Sequence, residues 1–450
     1  MSTATHILVF PHPAQGHMLP LLDLTNQLAI RGLRITILVT PKNLPILTPI
    51  LTAHPSIQTL VLSLPPHPKL PVGAENIRDI GNRGNFPLVS ALSKLAGPIS
   101  DWFNSHPSPP HAIISDFFLG WTHSLATQLG IPRIAFFSSG AFLCSIFSIL
   151  FSDIARFKAL HSVEFTDLPN SPAFKEEHLP SVFRFYNESD PDSRSFKEGL
   201  LANMSSWGCV FNSFRALEGQ YLDHFRKLTV HRRVHGVGPL SLFRINSDQE
   251  SSCEPVLTWL DDCPDGSVLY VSFGSQKWLS EPQLQALGLA LEKSQTRFIW
   301  VVRGEPELDG LEERVAGRGL VVREWAPQVE ILGHRAVGGF LSHCGWNSAL
   351  ESVVAGVMIV AWPMEADQYV NARILVEELG VGVHACEGPQ TVPDPDELGR
   401  VIKDAMGLNA AQKLRAKELK EKAFEAVRDG GSSVTELDEF VNELVRVCPK

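Results

Sequence analysis

Residues 325–368, WAPQVEILGHRAVGGFLSHCGWNSALESVVAGVMIVAWPMEADQ, place polar and aromatic side chains in an otherwise apolar stretch. Within it, SHCGWNSALESVVAG is typical of a strand end, a glycine turn and a helix, with Asn347 and Ser348 at or near the N-cap. The N–H groups of a first helical turn bind anions, and His343 just before the turn adds a donor. The pattern therefore favours a phosphate as ligand.

The residues on the amino side of this turn suit a flat heterocycle. Trp325, at the end of a predicted strand, offers a π face, while Gln328 and the main chain of Ala326 offer hydrogen bonds to a ring edge. Taken singly, a tryptophan in a strand is more often core, and Asn-Ser before a helix is more often only a cap. A ligand-binding role is therefore indicated by the combination of residues in the whole segment and not by any one of them.

The residues on the carboxyl side of the turn suit sugars. Glu351 lies four residues along the helix from Asn347, on the same face, where a carboxylate can accept from the vicinal hydroxyls of a ribose. Glu365, Asp367 and Gln368 follow the next predicted strand and can pair with further hydroxyls. An amide offers both a donor and an acceptor, so Gln368 beside Asp367 can select the configuration of adjacent hydroxyls.

Short β-rich runs alternate with helical patterns in both halves of the 450-residue chain. The first half contains ILVF, ITILVT, LVLSL, AIISD and RIAFF, and the second contains VLYVSFGS, FIWVV, GLVVRE, VGGFLSH and MIVAWP. Continuous apolar strands between helices indicate parallel sheets covered on both faces. We predict an α/β protein of two doubly wound, Rossmann-like domains facing a cleft, with ligands at the carboxyl ends of the strands.

A polar stretch divides these two sets of strands. RINSDQESSCEP, residues 244–255, has the composition of a linker. It separates a domain over residues 1–243 from a domain over residues 256–431. The end of the chain is predicted to form two helices broken at DGGSS, and we expect the last, over about residues 432–450, to pack back on the first domain.

Composition narrows the classes of partner. The formal net charge of -10, the pI of about 5.9 and the lack of a basic stripe exclude nucleic acid and anionic membranes as attractive partners. Seven cysteines without a C-x-x-C pair argue against a disulfide framework or a zinc site and favour a reducing cytosol. There is no signal-peptide pattern, and the longest apolar run, residues 140–151, is shorter than the roughly 20 residues of a membrane span. We expect a cytoplasmic monomer without a membrane span.

The whole segment closely resembles the C-terminal signature of the plant family 1 UDP-glycosyltransferases. The matching residues are Trp325, Pro327, Gln328, His334, His343, CGWNS, Glu351, Trp362, Pro363, Asp367 and Gln368. The resemblance runs over essentially the whole chain and is nearest to the subgroup acting on flavonols and hydroxybenzoates. Met358 departs from the pattern, which usually has proline there. The resemblance implies a GT-B architecture, in which the first domain binds the acceptor and the second binds the UDP-sugar.

The resemblance also implies roles for donor-binding residues. Trp325 would stack on uracil, Ala326 and Gln328 would bind its edge and the ribose, and Glu351 would take the ribose hydroxyls. The residues implied at the diphosphate are His343, Asn347, Ser348 and Ser275, those at the sugar are Trp346, Asp367 and Gln368, and the remaining donor-binding residues are Gly345 and Ser138. Glutamine at position 368 is associated with glucose, so the donor is expected to be UDP-glucose.

The resemblance places the general base at His17, the second histidine of FPHPAQGHMLP, before a helix expected to start around Met18. His12 is then a loop residue. Asp116, which closes AIISD, would pair with His17 and support its protonated form, the alternative being a helix N-cap. A phenol near 10 and an imidazole near 6.5 differ in pKa by about 3.5 units, so full proton transfer before attack would cost roughly 5 kcal/mol. Deprotonation should therefore accompany a single, inverting displacement at the anomeric carbon.

No metal or other cofactor is expected besides the UDP-sugar donor. The two DPD triplets, residues 190–192 and 394–396, lie in predicted loops, and the second is interpreted as the cap of a helix beginning near Glu397. A planar phenolic acceptor would stack on aromatic residues of the first half, although several of them have the core as their alternative place. These residues are Phe86, Phe117, Phe118, Phe137 and Phe142.

Other activities stay open at this point. A C-glycosyltransferase acting on an electron-rich phenolic ring, or an enzyme using UDP-rhamnose or UDP-xylose, fits the same signature. A non-catalytic nucleotide-sugar-binding protein has no need of His17 and Asp116. The G-x-G-x-x-G of a dinucleotide-dependent oxidoreductase and the G-x-S-x-G of a serine hydrolase are both absent from the sequence.

Overall fold

The computed structural model describes residues 5–229, 231–245, 254–274, 277–304, 308, 310–323, 325–407 and 410–447. The chain forms two compact units: unit 1 consists of residues 1–246 and 425–450, and unit 2 of residues 247–424. Each unit contains its own parallel sheet with intervening helices, which confirms the α/β class with two doubly wound domains. Most of the predicted linker, residues 244–255, lies outside the described residues.

The described residues of unit 1 form nine strands: β1 (His6–Phe10), β2 (Arg34–Val39), β3 (Gln58–Val61), β4 (Ala112–Asp116), β5 (Arg133–Phe137), β6 (Ser162–Glu164), β7 (Ala173–Lys175), β8 (Gly208–Phe211) and β9 (Val234–Gly236). Seven of them form one sheet in the order β3-β2-β1-β4-β5-β8-β9, with all neighbours parallel, and β6 pairs with β7. β3 ends earlier than the predicted LVLSL, ahead of Pro65 and Pro66, which have no N–H for a ladder. The sequence pattern does not predict β8 or β9.

The described residues of unit 2 form six strands: β10 (Val268–Ser272), β11 (Arg297–Val302), β12 (Gly319–Arg323), β13 (Val337–Ser342), β14 (Met358–Ala361) and β15 (Gly382–His384). They form a parallel sheet in the order β12-β11-β10-β13-β14-β15. The first five correspond to the predicted runs, whereas β15 is too short to give a recognisable pattern. β10, β13 and β14 are almost completely buried, as expected for strands covered on both faces.

Helices alternate with these strands. In unit 1 they are α1 (Gln15–Ile30), α2 (Thr48–Ala53), α3 (Ile77–Ile80), α4 (Asn85–Ser93), α5 (Ala96–Ser105), α6 (Thr122–Leu129), α7 (Ala141–Ser152), α8 (Ile154–Lys158), α9 (Ser181–Arg184), α10 (Pro191–Ala202) and α11 (Arg215–Leu228). Those that follow along the chain are α12 (Glu254–Asp261), α13 (Glu281–Ser294), α14 (Leu311–Arg314), α15 (Gln328–Gly333), α16 (Trp346–Ala355), α17 (Gln368–Arg373), α18 (Pro395–Ala405), α19 (Ala411–Val427) and α20 (Ser432–Val447). Across the described ranges, none of the helices has the length and apolar character needed to cross a bilayer.

The C-terminal helix α20 belongs to the core of unit 1. Its side chains Leu437, Phe440 and Leu444 are fully buried in the same apolar cluster as the strands β1 and β2 and the helix α1. The helix is also fixed by polar contacts, because Ser433 Oγ donates to the backbone oxygen of Gly238 at 2.6 Å. The chain therefore returns to unit 1 after completing unit 2.

The order of the strands decides which loops meet. In unit 1, β1, β4 and β5 are direct neighbours, so the segments that follow Phe10, Asp116 and Phe137 emerge at one edge of the sheet. In unit 2, β10, β13 and β14 are neighbours in the same way. These two edges are where doubly wound sheets bind ligands.

Candidate active site

His17 and Asp116 form a hydrogen-bonded pair at the sheet edge of unit 1. α1 begins at Gln15 and not around Met18, so His17 is the third residue of its first turn. Asp116 is the last residue of β4. His17 Nδ1 lies 2.9 Å from Asp116 Oδ2, and the side chain of His17 is 20% exposed while that of Asp116 is 0% exposed. Within the described residues nothing bonds His17 Nε2, which leaves that nitrogen for a substrate.

Asp116 is held in its ionised form. Burial alone would raise the pKa of Asp116, but the charge and hydrogen bond of His17, with smaller contributions from His12 and the Phe118 N–H, hold that pKa below its ordinary value. Oδ1 accepts from Phe118 N at 2.9 Å, so Asp116 also caps the 3₁₀ turn Phe117–Leu119. An anionic Asp116 keeps a proton on Nδ1 of His17 and leaves Nε2 free to accept another.

Ser138 is the third member of this arrangement. It directly follows β5, and its Oγ lies 3.0 Å from His17 Nδ1 and 3.3 Å from Asp116 Oδ2. The hydroxyl can donate to the carboxylate while the His17 N–H does the same. The family resemblance predicts that Ser138 binds the donor. The structure shows Ser138 in contact with the His17–Asp116 pair, and its donor-binding role stays a prediction.

His12 lies in the loop between β1 and α1, as the sequence suggests, but this part of the loop is buried. His12 is fully buried, and its Nε2 bonds Asn85 Oδ1 at 3.0 Å. Burial, with the charge of His17, lowers the pKa of His12 to about 3, so the ring is neutral at physiological pH. It packs edge-on against His17 with the ring centroids 5.0 Å apart. His12 is thus a packing partner of the candidate base.

A buried guanidinium fixes the end of β4. Arg133 is 1% exposed and donates to Ser115 Oγ, Asn203 Oδ1, Ser206 Oγ and, at 3.2 Å, to the backbone oxygen of Asp116. Burial lowers the pKa of Arg133 to about 10, which still leaves it charged at neutral pH. The sequence analysis does not identify this residue. A charge at the start of the otherwise apolar run RIAFF is the signal for it.

Aromatic rings surround His17. Its ring stacks on Phe117 with an interplanar angle of 15° and a centroid distance of 5.6 Å, and Phe118 lies 4.9 Å away. Phe117 in turn stacks on Phe137. Phe117 and Phe137 also line an apolar cavity within unit 1, together with Cys144, Phe147, Leu200, Met204 and Phe225.

The two other expected acceptor residues differ from each other. Phe86 packs edge-on against Phe196, which also contacts Phe118, so Phe86 belongs to the aromatic group near the candidate base. Phe142 stacks on Tyr221 at 4.3 Å and is 1% exposed. This packing gives Phe142 a place in the core, and nothing in it favours contact with an acceptor.

In unit 2, the turn between β13 and α16 carries predicted donor residues. Gly345 is the N-cap of α16 without a side-chain cap, and Asn347 and Ser348 are the second and third residues of the helix. β13 lies between β10 and β14, which places this turn in the middle of the sheet edge. A ten-residue helix that starts after a glycine at such an edge has the geometry of an anion site.

His343 lies against two glycines. A Cβ on Gly274 would lie 2.7 Å from His343 Cε1, and a Cβ on Gly345 would lie 2.6 Å from Nε2, so any side chain there would displace the ring. Nδ1 has no hydrogen-bond partner in the described part of the chain. Burial lowers the pKa of His343 to about 4. The neutral ring can offer a phosphate one N–H, but no full positive charge.

The predicted base and ribose residues lie together. Trp325 is 57% exposed, as a stacking platform requires, and Ala326 next to it is buried. Gln328, the first residue of α15, donates from Nε2 to Glu351 Oε2 at 2.7 Å and to Ser348 Oγ at 3.2 Å. The structure thus brings residues from two parts of the signature into direct contact, and ribose binding there stays a prediction.

Gln368 differs from the expectation drawn from sequence. Its Oε1 accepts from the backbone N–H groups of Met364 and Glu365, both at 2.9 Å, and the residue is 7% exposed. Because two donors occupy the carbonyl oxygen, only the Nε2 group is left to pair with a sugar. The prediction that Gln368 offers the sugar both a donor and an acceptor is therefore wrong for the acceptor.

Asn371 is a further residue that the sequence analysis misses. It is 1% exposed, and its Nδ2 donates to the backbone oxygen of Cys344 at 2.9 Å and to Asp367 Oδ2 at 2.8 Å. It lies three residues beyond the end of the signature. Its spacing of four residues from Asp367, one helical turn, is the signal that identifies it.

The remaining predictions concern Ser275 and the acidic triplets. Ser275 lies outside the described residues. Asp394 caps α18 by accepting from the N–H groups of Asp396 and Glu397, and Asp190 caps α10. Capping is thus what the structure shows for both triplets, with α18 beginning at Pro395. In the described ranges, no group of three or more His, Cys, Asp or Glu side chains is arranged to hold a metal ion.

Comparisons with known proteins extend beyond this site. The family model for UDP-glucoronosyl and UDP-glucosyl transferases matches residues 252–405. UDP-glycosyltransferase 89A2 of Arabidopsis thaliana is 52% identical over 452 residues, covering 99% of this chain and 97% of that protein. Flavonol 3-O-glucosyltransferase UGT89B1 of the same plant is 48% identical over 464 residues, covering 98% and 97%.

The likeness holds in three dimensions as well. The crystal structure of Arabidopsis thaliana UGT89C1 complexed with UDP-L-rhamnose is 37% identical, covers 98% of this chain and 100% of that chain, and superposes with a TM-score of 0.82. Identity at these levels over nearly the full length reaches both units, and so covers the pair in unit 1 as well as the signature segment in unit 2. The chain belongs to the plant family 1 UDP-glycosyltransferases and is a GT-B glycosyltransferase.

Proposed function

We propose that this enzyme transfers glucose from UDP-glucose to a hydroxyl group of a small plant phenolic, such as a flavonoid or a hydroxybenzoate. The observation that carries the proposal is the 2.9 Å contact between His17 Nδ1 and the buried, ionised Asp116, with the His17 side chain 20% exposed. Unit 1 binds the acceptor, and residues 325–368 of unit 2 bind the donor. A relative named as a flavonol 3-O-glucosyltransferase supports the choice of acceptor and sugar.

In the proposed reaction, the acceptor oxygen attacks the anomeric carbon while its proton passes to His17 Nε2. The bond from that carbon to the diphosphate oxygen breaks in the same step, UDP leaves, and the anomeric configuration inverts. Asp116 stabilises the imidazolium that develops on His17, as the aspartate of a Ser-His-Asp triad does. General base catalysis of this kind contributes typically about 10² to 10⁴-fold.

The departing diphosphate is stabilised by neutral groups in this proposal. His343 donates one N–H, and the first turn of α16 offers backbone N–H groups and the positive end of the helix dipole. No metal is required, and we expect exhaustive EDTA treatment to leave activity intact. A loss that Mg²⁺ or Mn²⁺ restores would contradict this part of the proposal.

The acceptor is proposed to contact the aromatic group next to His17. Phe86 and Phe118, joined through Phe196, form one side of it, and Phe117 and Phe137 lead into the apolar cavity. Aromatic walls suit planar rings that bear few polar groups. We also propose that the enzyme is a cytoplasmic monomer, as the free cysteines among the described residues favour a reducing compartment.

Two neighbouring activities are tested by the same assay. A solved relative carries UDP-L-rhamnose, which keeps a rhamnosyl donor as the second candidate, and attack by a ring carbon would give a C-glycoside. We would incubate the enzyme with UDP-glucose, UDP-rhamnose and UDP-xylose against a panel of flavonoids and hydroxybenzoates, and resolve the products by mass spectrometry and NMR. An O-glucoside as main product supports the proposal, whereas a C-linked or rhamnosylated main product contradicts it.

The variant Asp116→Asn tests the catalytic pair and separates an enzyme from a binding protein. We expect kcat to fall by about 10²-fold or more with little change in UDP affinity, since an amide cannot balance the imidazolium. A folded variant with unaltered kinetics would reduce Asp116 to the cap of the turn Phe117–Leu119.

A further inference from the structure

One buried amide joins two loops of the proposed donor site. Asn371 Nδ2 donates to the backbone oxygen of Cys344 at 2.9 Å and to Asp367 Oδ2 at 2.8 Å. Both partners are acceptors only, so the nitrogen of the amide, which has two hydrogens, must be the atom that faces them. The Asn371 side chain is 1% exposed, so water does not compete for these hydrogen-bonding groups.

The first partner, Cys344, has an unfavourable backbone conformation. Its φ of +64° lies in the left-handed region, although it is not a glycine, and it is fully buried between His343 and Gly345. Such residues persist only where their surroundings fix them. Here the Cys344 N–H donates to Ser342 Oγ at 3.1 Å, and its carbonyl accepts from Asn371. The Cys344 thiol also donates to the backbone oxygen of Ser342 at 3.5 Å, so the amide is one of several polar contacts that hold this turn.

The second partner, Asp367, precedes α17 but does not cap it with its side chain. Its carboxylate is instead held by Asn371, one helical turn further on. Ala366, immediately before it, has a φ of +56° and is a second left-handed residue. Gln368 anchors the same loop through Met364 and Glu365. Asp367 therefore lies in a loop whose shape depends on two buried amides.

We propose that Asn371 is a positioning residue for glycosyl transfer, because its single amide sets both the turn that receives the diphosphate and the carboxylate that receives the sugar. The inference rests on the proposed donor role of residues 325–368. Removing the amide takes one hydrogen-bond donor from the Asp367 carboxylate and one from the strained turn. The cost falls on the reacting sugar more than on the uracil, which binds at Trp325 in the proposed function.

The chain offers a matched control for a purely structural effect. Gln283 is also 1% exposed, and its Nε2 donates to the backbone oxygens of Pro389 and Thr391 at 3.2 and 2.9 Å. Neither partner is among the proposed donor residues. Gln283→Ala therefore removes a buried amide with two acceptor contacts from the same unit, together with the capping box that its oxygen forms with Ser280, and none of these contacts involves Cys344 or Asp367.

The test is a double-mutant cycle on kcat/KM for UDP-glucose, made from the native enzyme, Asn371→Ala, Asp367→Ala and the double variant. We expect Asn371→Ala alone to lower kcat/KM by roughly 10 to 100-fold, and to cost at least about fivefold less when Asp367 is already alanine. UDP affinity, measured by calorimetry, should fall by less than about fivefold. Gln283→Ala should lower the thermal midpoint comparably and leave kcat/KM within about twofold.

Asn371→Asp provides a second variant of the same size, which guards against collapse of the site after truncation. It lacks the donors and places a carboxyl group against Asp367, so it should lose kcat/KM as Asn371→Ala does. Full multiplication of the two single effects, or near-native kinetics in either variant at position 371, would overturn the inference. If Asp367→Ala itself leaves the kinetics for UDP-glucose unchanged, the proposed donor site fails, and the inference fails with it.

Discussion

The two sets of functional residues are assembled in opposite ways. His17 and Asp116 are 99 positions apart and meet because β1 and β4 are neighbours in the sheet of unit 1. The predicted donor residues of unit 2, apart from Ser275, lie within residues 325–368, on three consecutive strand-to-helix turns. A site assembled from distant strands depends on the topology, whereas a site made of one segment is largely readable from sequence. In this chain, sequence patterns therefore locate the signature segment of unit 2 more reliably than the His17–Asp116 pair of unit 1.

The two sets also differ in charge. In unit 1 an ionised carboxylate lies beside the candidate base, and the guanidinium of Arg133 lies behind it. In unit 2 the histidine at the proposed anion site is neutral, and backbone N–H groups are the other proposed donors. We therefore expect substitutions of His17 and Asp116 to act on turnover, and substitutions of the proposed base and ribose residues of unit 2 to act on the affinity for the donor.

The largest effect is expected for His17→Ala. This change removes the proton acceptor and should lower kcat by about 10² to 10⁴-fold, while UDP affinity measured by calorimetry stays near native. His12→Gln is the control, because glutamine can still bond Asn85 and His12 is only a packing partner of the base. If His12→Gln were inactive and His17→Ala active, the general base would be His12, and the contrast between the two units would not hold.

A smaller effect, of the opposite kind, is expected for Trp325→Ala. The exposed indole stacks on the base in the proposed function, and such stacking is worth about 1 to 3 kcal/mol, or roughly 5 to 150-fold in affinity. We expect KM for UDP-glucose to rise by that factor and kcat at saturation to change little. An equal fall of kcat with unaltered KM would mean that unit 2 acts on turnover as unit 1 does.

The third prediction concerns the sugar. We expect kcat/KM for UDP-glucose to exceed that for UDP-galactose by at least about tenfold, since a misplaced hydroxyl leaves a buried polar group unpaired. Gln368→His should narrow this gap and lower both values, because an imidazole cannot hold the N–H groups of Met364 and Glu365 as the amide oxygen does. Equal use of both sugars by the native enzyme, or preference for UDP-rhamnose or UDP-xylose, would refute the assignment.

The smallest effect is a difference in acid sensitivity between the two units. Burial lowers the pKa of His6, His12 and His235 in unit 1 to about 4, 3 and 4, and that of His343 in unit 2 to about 4. Between these values and 6.5 only the unfolded chain binds the protons, so stability falls as the pH falls through 6.5. From pH 7 to pH 6 each such histidine costs about 0.7 kcal/mol, and unit 1 has more of them.

Urea titrations at the two pH values, read by hydrogen exchange of peptides from each unit and corrected for intrinsic rates, measure this difference. Burial also lowers the pKa of His231 in unit 1 to about 4, so we expect unit 1 to lose about 2 kcal/mol more than unit 2. His6→Gln, which removes one titrating group far from the base, should reduce the excess. Equal losses in both units would contradict the assignment of neutral histidines to the core of unit 1.

The sequence was sufficient for the fold class and for the family, because long apolar runs and a contiguous signature need no knowledge of strand order. It was insufficient where a side chain has more than one possible partner. The amide oxygen of Gln368 accepts from Met364 and Glu365, and Ser138 contacts the His17–Asp116 pair. Both contacts depend on the three-dimensional course of the loops. No periodicity in the sequence encodes those choices.

The acceptor side shows the same limit more strongly. Phe117 and Phe142 are equally apolar in sequence, yet one ring stacks on His17 and the other on Tyr221. His12 and His17 share one loop and helix start, and only the structure shows that burial makes the first one neutral. Such residues differ in their neighbours across the sheet, and a single sequence carries little information on those neighbours.

The return of α20 to unit 1 fixes the order in which the protein is completed during synthesis. Unit 2 is one uninterrupted stretch, so all of it is synthesised before Leu437, Phe440 and Leu444. At roughly 5 to 20 residues per second, about 10 to 40 s pass between residue 246 and residue 437. During that interval the earlier-made part of the chain exposes the apolar surface that α20 covers, and it is then a substrate for chaperones. The half of the protein that is translated first is the half that finishes folding last.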